Sequence, residues 1–466
     1  MEKNLKILIA ITGFAILMRF VLIAFSAHAP IRFFTSDSYG YVDNARALFE
    51  IKRFAHSPEE PGLFETIRTP GYPLFLAASY SLFGVNQAIA IGIQSFLSLI
   101  TIILTFWIGC QIWNPKVGLL SSLLLTLDLN TLGFSLMLLS ETLFTLFLTG
   151  FLASTIYILK RDPDRWKGVR LFSYAGISGT LLVFATFVRP LTYFSFALVA
   201  LIFEVWLIST HWPWKRHLQL QIGFFLPFVL LVGGWQLRNQ QITGSGMFSQ
   251  IEAINMYWYR AAGVIALRDH ISLQDAQKKM GIYEPQAVLY HPELGETWQE
   301  DGVNTLLKHP FLYMRTVVGG ILKMFMIPGN ETVLGLIGVQ LGKTSPLGDL
   351  FRLPPREYIT RWMEGNKVYL LTFIFALLHM FLVYTGFLIG SVQSLVKRQG
   401  LMSLFLLIGM LFYLVLVSAG PEAYYRFRVP VTPILVLFAA RGIYLITFQV
   451  KGKNKFAQRF SSIPLH

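Results

Sequence analysis

The sequence predicts an all-α, polytopic membrane protein, a helical bundle of about ten transmembrane helices with two large loops. Three observations carry that reading. The chain has 54% hydrophobic and only 14% charged residues, with a mean hydropathy of +0.55, whereas a soluble domain is about one quarter charged. Its apolar residues come in runs long enough to cross roughly 30 Å of hydrocarbon. Its Lys and Arg residues, which give a net charge of +14, fall in short clusters between alternate runs. Membrane orientation produces that distribution, and a nucleic-acid-binding stripe does not, so nucleic acid is excluded as a partner.

Taken in order, the runs lie near 5–26, 86–112, 117–134, 137–159, 171–188, 190–210, 217–237, 367–391, 401–419 and 429–448. Lys3 and Lys6 open the first. Lys160, Arg161, Arg165, Lys167 and Arg170 fill one loop, Lys215 and Arg216 another, and Lys397 and Arg398 a third. Lys451, Lys453, Lys455 and Arg459 follow the last run. All fall on one side if ten helices span and both termini are cytoplasmic, in a plasma or inner membrane. The small residues of Ala27-His28-Ala29 resemble a signal-peptidase site. Arg19 late in the run and the run's full spanning length favour a retained anchor. The lone cysteine, Cys110, sits in an apolar run and has no partner for an intrachain disulfide or a Cys-based zinc site.

This topology makes one transmembrane domain with two extracytoplasmic segments, 27–85 and 238–366. In the first, 37–50 has helical character, with Tyr41, Ala45, Leu48 and Phe49 on one side and Asp37 or Ser38 as its N-cap. The stretch 70–83 is too short to span comfortably and reads as a surface or re-entrant helix, with Pro70 near its start. In the second segment, 311–328 is amphiphilic and carries Arg315 and Lys323, so it is expected to lie on or dip into the membrane. The second segment is the expected acceptor- or donor-binding region.

Ionisable groups collect at the outer ends of the runs and in the outer loops: Asp37, Glu65, Arg68, Asp128, Glu141, Arg189, Arg238, Glu422, Arg426 and Arg428. Such groups at membrane depth are costly and face a protein interior or a watery cavity. The plain alternatives are that Asp37 only caps a helix, and that Glu141 and Asp128 form structural ion pairs with Arg189 or Arg426. The sharper reading is chemical. Transfer from a polyprenyl monophosphate needs a base for an acceptor hydroxyl and cations for the leaving phosphate. Arginine suits the phosphate because its planar fork binds oxyanions through two bonds and stays charged. Arg68, Arg189, Arg238, Arg426 and Arg428 are the candidates, with Arg189 and Arg426 foremost; Arg426 and Arg428 are two apart, so in an extended segment only one faces the cavity. Tyr39, Tyr72, Glu141, Glu422 and Tyr425 are expected to line the same cavity. There is no Asp-x-Asp motif, phosphate-cradling glycine loop or Rossmann pattern, and Gly244-Ser245-Gly246 reads as a plain loop.

The order of motifs is itself informative. An Asp (Asp37) follows the first run, then come Arg68-Thr69-Pro70-Gly71-Tyr72-Pro73, Ser140-Glu141-Thr142-Leu143-Phe144, Arg189-Pro190 and Tyr425-Arg426-Phe427-Arg428-Val429-Pro430. This order resembles the GT-C superfamily of polytopic glycosyltransferases, in the branch of the protein O-mannosyltransferases and lipid A aminoarabinose transferases. The resemblance implies a polyprenyl-phosphate-linked sugar donor, a glycan, lipid or protein acceptor, and an extracytoplasmic active site reached from membrane lipid. It implies that Asp37 is the acidic residue of the first outer loop, acting as base or acceptor-positioning group. The family often has an acidic pair there; this chain has Asp37-Ser38, so the second catalytic carboxylate is assigned to Glu65. No cofactor is implied with certainty, and a divalent metal on Asp37 and Glu65 is possible. The rival class is a transporter or flippase of lipid-linked sugars, which usually shows internal repeats and midplane charges; no hydropathy repeat is visible here.

The orientation is testable in a Cys110→Ser background. A membrane-impermeant thiol reagent on intact cells should label Glu60→Cys and leave Arg165→Cys unlabelled. Labelling at 165 from outside would overturn the orientation.

Overall fold

The structure, a computed structural model, describes residues 2–161, 168–281, 284–339, 354, 357, 367–398 and 400–449. Arg165, Lys167, Lys451, Lys453, Lys455 and Arg459 of the loop-charge pattern lie outside the described residues. Among the described residues the fold is helical, with no strand and one isolated bridge between Ala55 and Phe64.

Nine helices among the described residues are long and apolar enough to cross a membrane. In chain order the elements begin with the spanning α1 (Glu2–Ser26) and the loop helices α2 (Ser36–Glu50) and α3 (Gly71–Phe83). Spanning α4 (Gln87–Ile112) is followed by two short helices, α5 (Pro115–Leu127) and α6 (Leu129–Phe134), and then by spanning α7 (Glu141–Leu159) and α8 (Gly168–Val188). Two further spans are α9 (Pro190–Ser209) and α10 (Trp214–Thr243). The second loop segment contains α11 (residues 251–269, with a π-helical centre at Asn255–Ala261), α12 (Leu294–Lys308), α13 (Pro310–Met326) and α14 (Glu331–Leu336). Spans α15 (Lys367–Val396), α16 (Leu401–Ser418) and α17 (Tyr425–Thr447) close the bundle.

The third expected span is the one that differs. Instead of one helix over 117–134 there are two, because the backbone at Asp128 is extended (φ −71°, ψ 103°) and its carboxylate accepts from the Thr131 amide at 2.7 Å, capping α6. Asp128 therefore starts a helix, and the side chain that stands against its carboxylate is the His379 ring at 3.8 Å, not Arg189 or Arg426. The following residues Leu136, Leu138 and Leu139 are fully buried without being helical, which delays the start of α7 to Glu141. In α10, the π-helical turn Phe228–Val232 follows Pro227, whose missing N–H and ring displace the regular helical ladder.

The two expected surface helices are present. On α13, Phe311, Met314, Val318, Leu322 and Met326 form an exposed apolar stripe at three- and four-residue spacing, while Thr316, Gly320 and Met324 are buried. That is the geometry of a helix lying in an interface. On α3, Tyr72, Leu76 and Tyr80 face the protein and Leu74, Leu82 and Phe83 are exposed. Its first residue packs on the end of α8, where a Cβ on Gly71 would lie 2.6 Å from the Phe187 carbonyl oxygen.

Only glycine fits that contact, so Gly71→Ala should cost about 1–3 kcal/mol of stability through forced backbone displacement. Thermal unfolding in detergent measures it, and an unchanged midpoint would show that α3 and α8 are not locked together.

Candidate active site

The loop 27–85 is folded around one carboxylate. Glu65 Oε1 accepts from the amides of Ile67 (2.7 Å) and Arg68 (2.8 Å), and Oε2 accepts from Asn44 Nδ2 at 3.0 Å. His56 Nδ1 stands 3.5 Å from Oε2, and that contact raises the imidazole above its ordinary pKa. Glu65 is buried and its oxygens are engaged, so it clamps the chain entering Arg68 onto α2 and does not border the cavity described below.

Asp37 is the second residue of α2 and not its cap. The cap is Thr35, whose backbone N–H donates to Ser38 Oγ at 2.9 Å. The Asp37 carboxylate is thus free to reach outward, and it does so to two arginines: Arg426 Nη1 at 2.5 Å and Arg68 Nη2 at 3.3 Å. Burial alone would raise this carboxyl, but the guanidinium groups of Arg426 and Arg68 outweigh it and hold it well below the usual carboxylate range. Arg68 lies over the Tyr41 ring at 4.2 Å. It also passes over Gly40, where a Cβ would sit 2.7 Å from its Nε, so the glycine is what lets the arginine cross α2.

Glu141 opens α7 and is fully buried. It accepts from both Arg189 Nη1 and Arg426 Nε. An acid at a helix N-terminus is favoured by the helix dipole, and two cations offset the cost of burying it. The plain ion-pair reading of Glu141 is therefore correct, and it has a further consequence. Arg189, Glu141, Arg426, Asp37 and Arg68 form one alternating chain of charge drawn from α2, the Arg68 loop, α7, the α8–α9 junction and the start of α17.

A cavity of about 330 Å³ opens on this chain. Asp37, Arg68, Arg189 and Arg426 border it, and so does Glu422, which pairs with Arg260 at 3.3 Å. Burial raises the Glu422 carboxyl above its ordinary value. Among the residues that border it without having been taken as site residues from the sequence are Tyr41, Asn255, Tyr259 and Tyr424. Tyr424 directly precedes the Tyr425–Pro430 motif, and Arg426 Nη1 lies 3.3 Å from its hydroxyl. Asn255 and Tyr259 belong to a polar segment that carries no motif.

Glu141, expected to line the cavity, is buried behind it and, like Glu65, does not border it, and five further expected site residues lie elsewhere. Arg428 is buried and donates to the carbonyls of Met324 (2.9 Å), Ile327 (2.9 Å) and Pro328 (2.8 Å), fastening the end of α13 to α17. Arg238 is packed among Phe54, Phe64 and Trp235. Tyr39 is exposed beside Phe34. Tyr72 is buried behind Tyr41, its hydroxyl donating to Gln94 at 2.7 Å. Tyr425 turns toward Phe134.

With this arrangement in view, the chain can be set beside solved structures. Over 99% of its length it superimposes on the Archaeoglobus fulgidus oligosaccharyltransferase in its apo form, with a TM-score of 0.53 and 11% identity. The fold is of the GT-C type. The chain spans about half, 52%, of that enzyme's length. Cupriavidus metallidurans ArnT bound to undecaprenyl phosphate also matches, with a TM-score of 0.42, 14% identity, and 93% of this chain against 77% of that one. The sequence matches no protein-family model and no curated protein, so the likeness is one of fold.

The residues present do not suit a divalent cation. Among the described residues no three His, Cys, Asp or Glu side chains converge. Asp37 gives both its oxygens to guanidinium groups and Glu65 is consumed by backbone amides. A cation at Asp37 would face Arg68 and Arg426 at contact distance.

The placement of Arg428 is testable against its expected phosphate role. Arg428→Met should leave three buried carbonyls unpaired and cost about 3 kcal/mol or more, read as a lowered unfolding midpoint. Undecaprenyl phosphate affinity of the remaining folded protein should fall much less than in Arg426→Lys, because Arg428 touches Arg426 only through the backbone between them. Intact stability with lost affinity would restore the phosphate role.

Proposed function

We propose that the protein is a membrane glycosyltransferase that moves a sugar from a polyprenyl-phosphate donor to an acceptor hydroxyl at the extracytoplasmic face. The observation that carries this reading is the charge balance of the cavity. Three arginines, Arg68, Arg189 and Arg426, meet two carboxylates, Asp37 and Glu141, leaving one positive charge in excess beside open space. A phosphodiester carries one negative charge and supplies the oxyanions that guanidinium forks bind. The GT-C fold, shared with an oligosaccharyltransferase, supports glycosyl transfer as the reaction.

In this mechanism the donor phosphate binds between Arg68, Arg189 and Arg426. It competes with Asp37 for Arg68 and Arg426, so donor binding frees the carboxylate and raises its basicity. The acceptor hydroxyl oxygen attacks the anomeric carbon, the bond from that carbon to the phosphate oxygen breaks, and the hydroxyl proton passes to Asp37. The leaving polyprenyl phosphate keeps the bonding electron pair, and its growing charge is met by the same arginines. Glu65 positions Arg68 through the backbone. Asn255, Tyr259 and Arg260, all from the second loop segment, favour that segment as a substrate-binding wall.

The charged groups sit at helix ends, with Glu141 the first residue of α7, Arg189 directly after α8 and Arg426 in the first turn of α17. A mid-helix relay, the usual device of a transporter, is not what these positions offer.

Asp37→Asn should fold normally, because Thr35 and not Asp37 caps α2, and should lower turnover about 10² to 10⁴-fold. Sugar transfer from a polyprenyl-phosphate donor in detergent, with a matched unfolding curve, is the assay. Wild-type turnover by this variant would remove Asp37 from the chemistry.

A further inference from the structure

A second chamber of about 130 Å³ adjoins the main cavity, and Pro190, Leu191, Ile251 and Asn255 border both. It lies between α11, α12 and the ends of α9 and α16. Its other lining residues include Glu252, Met256, Gln299, Phe194 and Val417. Three polar side chains face it, Glu252, Asn255 and Gln299. None of them makes a side-chain hydrogen bond or ion pair among the described residues, although Asn255 and Gln299 together offer amide donors and acceptors and Glu252 offers two acceptor oxygens. Polar side chains in a recess take their hydrogen-bond partners from the protein, from water or from a ligand. Here three converge, and none has a partner in the protein among the described residues.

The charge around Glu252 deepens the point. The one guanidinium lining the chamber, Arg260, is committed to Glu422 and to the Val417 carbonyl. Tyr413, from α16, donates its hydroxyl to the Leu191 carbonyl at 2.8 Å. The Glu252 carboxyl is left without a compensating charge, and burial pushes it up to about 7. It can therefore accept hydrogen bonds as a carboxylate or donate one as an acid near neutral pH.

We infer that this chamber is the subsite for the sugar ring of the donor, with Glu252, Asn255 and Gln299 binding its hydroxyl groups and Leu191, Phe194, Met256 and Val417 covering its apolar face. A ring of vicinal hydroxyls needs neighbouring acceptors and donors on one side and a C–H-compatible wall on the other, and the lining supplies both. A polyprenyl tail needs neither the carboxylate nor the two amides. The adjacency agrees: a sugar is bonded directly to the phosphate, and the chamber shares Pro190, Leu191, Ile251 and Asn255 with the arginine-lined cavity. This inference rests on the donor reading proposed above and adds which part of the donor goes where.

The test separates the two. Binding of undecaprenyl phosphate, which has no sugar, is compared with binding of a panel of undecaprenyl phosphate hexose and pentose esters, using purified full-length protein in detergent. For wild type, the best sugar ester should bind more tightly than the bare lipid phosphate. Glu252→Ala and Gln299→Ala should each weaken that ester about ten- to hundredfold, the usual worth of hydrogen bonds to a charged or buried group. Both should leave undecaprenyl phosphate binding within about twofold, as the phosphate arginines are untouched. Arg426→Lys should weaken both ligands. Equal losses for both ligands in the Glu252 and Gln299 variants, or no loss for the ester, would overturn the sugar subsite while leaving the phosphate site standing. Wild-type protein that prefers neither ligand over undecaprenol would overturn the donor reading itself, and the subsite with it.

Discussion

The chain of alternating charge from Arg189 through Glu141, Arg426 and Asp37 to Arg68 is the interaction on which the rest of the site depends. Each link is costly alone. Glu141 is fully buried, and an isolated carboxylate there would be unstable by several kcal/mol. Two guanidinium groups make it tolerable, and one of them, Arg426, is then held in place to meet Asp37 at the cavity edge. Asp37 in turn steadies Arg68. The buried end of the chain fixes geometry and the open end is left with exchangeable contacts, of which the 3.3 Å Arg68–Asp37 bond is the longest.

Much of the fold serves to bring these five residues together. Glu65 gathers two amides so that Arg68 leaves its loop in a fixed direction. Gly40 and Gly71 remove side chains where Arg68 crosses α2 and where α3 meets α8 beside Arg189. Arg428 holds α13 against the beginning of α17, which sets the position of Arg426 two residues earlier. A glutamate, two glycines and an arginine that do not touch the cavity centre thus decide its shape.

The sequence revealed the bundle through long apolar runs, a signal that survives any local irregularity. It also revealed the members of the charge chain, since Asp37 and Arg68 stand in motifs of the first outer loop and Glu141, Arg189 and Arg426 in motifs at the ends of runs. What it hid was direction. The segment 425–431 is a 3₁₀ helix, with about three residues per turn, so Arg426 and Arg428 point to different sides and only one meets the cavity. The same turn exchanges Tyr425 for Tyr424. Glu65 looked catalytic because a carboxylate three residues before an arginine says nothing of the backbone amides that fold back onto it. Asp128 looked like part of a span because its capping bond to Thr131 breaks the helix without any Gly or Pro to announce it. Glu252, Asn255 and Gln299 were hidden because they converge only through the packing of α11 on α12.

The five charged residues are also separated in time. A polypeptide emerges from the ribosome in order, and Asp37, Arg68, Glu141 and Arg189 are all synthesised long before Arg426. Until α17 is made, Glu141 has Arg189 alone and Asp37 has Arg68 alone, and the two halves of the network have no shared member. Arg426 is the residue that joins them. Insertion of α17 is therefore the event that assembles the site, and a chain made only as far as α16 holds its acids and bases in two separate, incomplete sets.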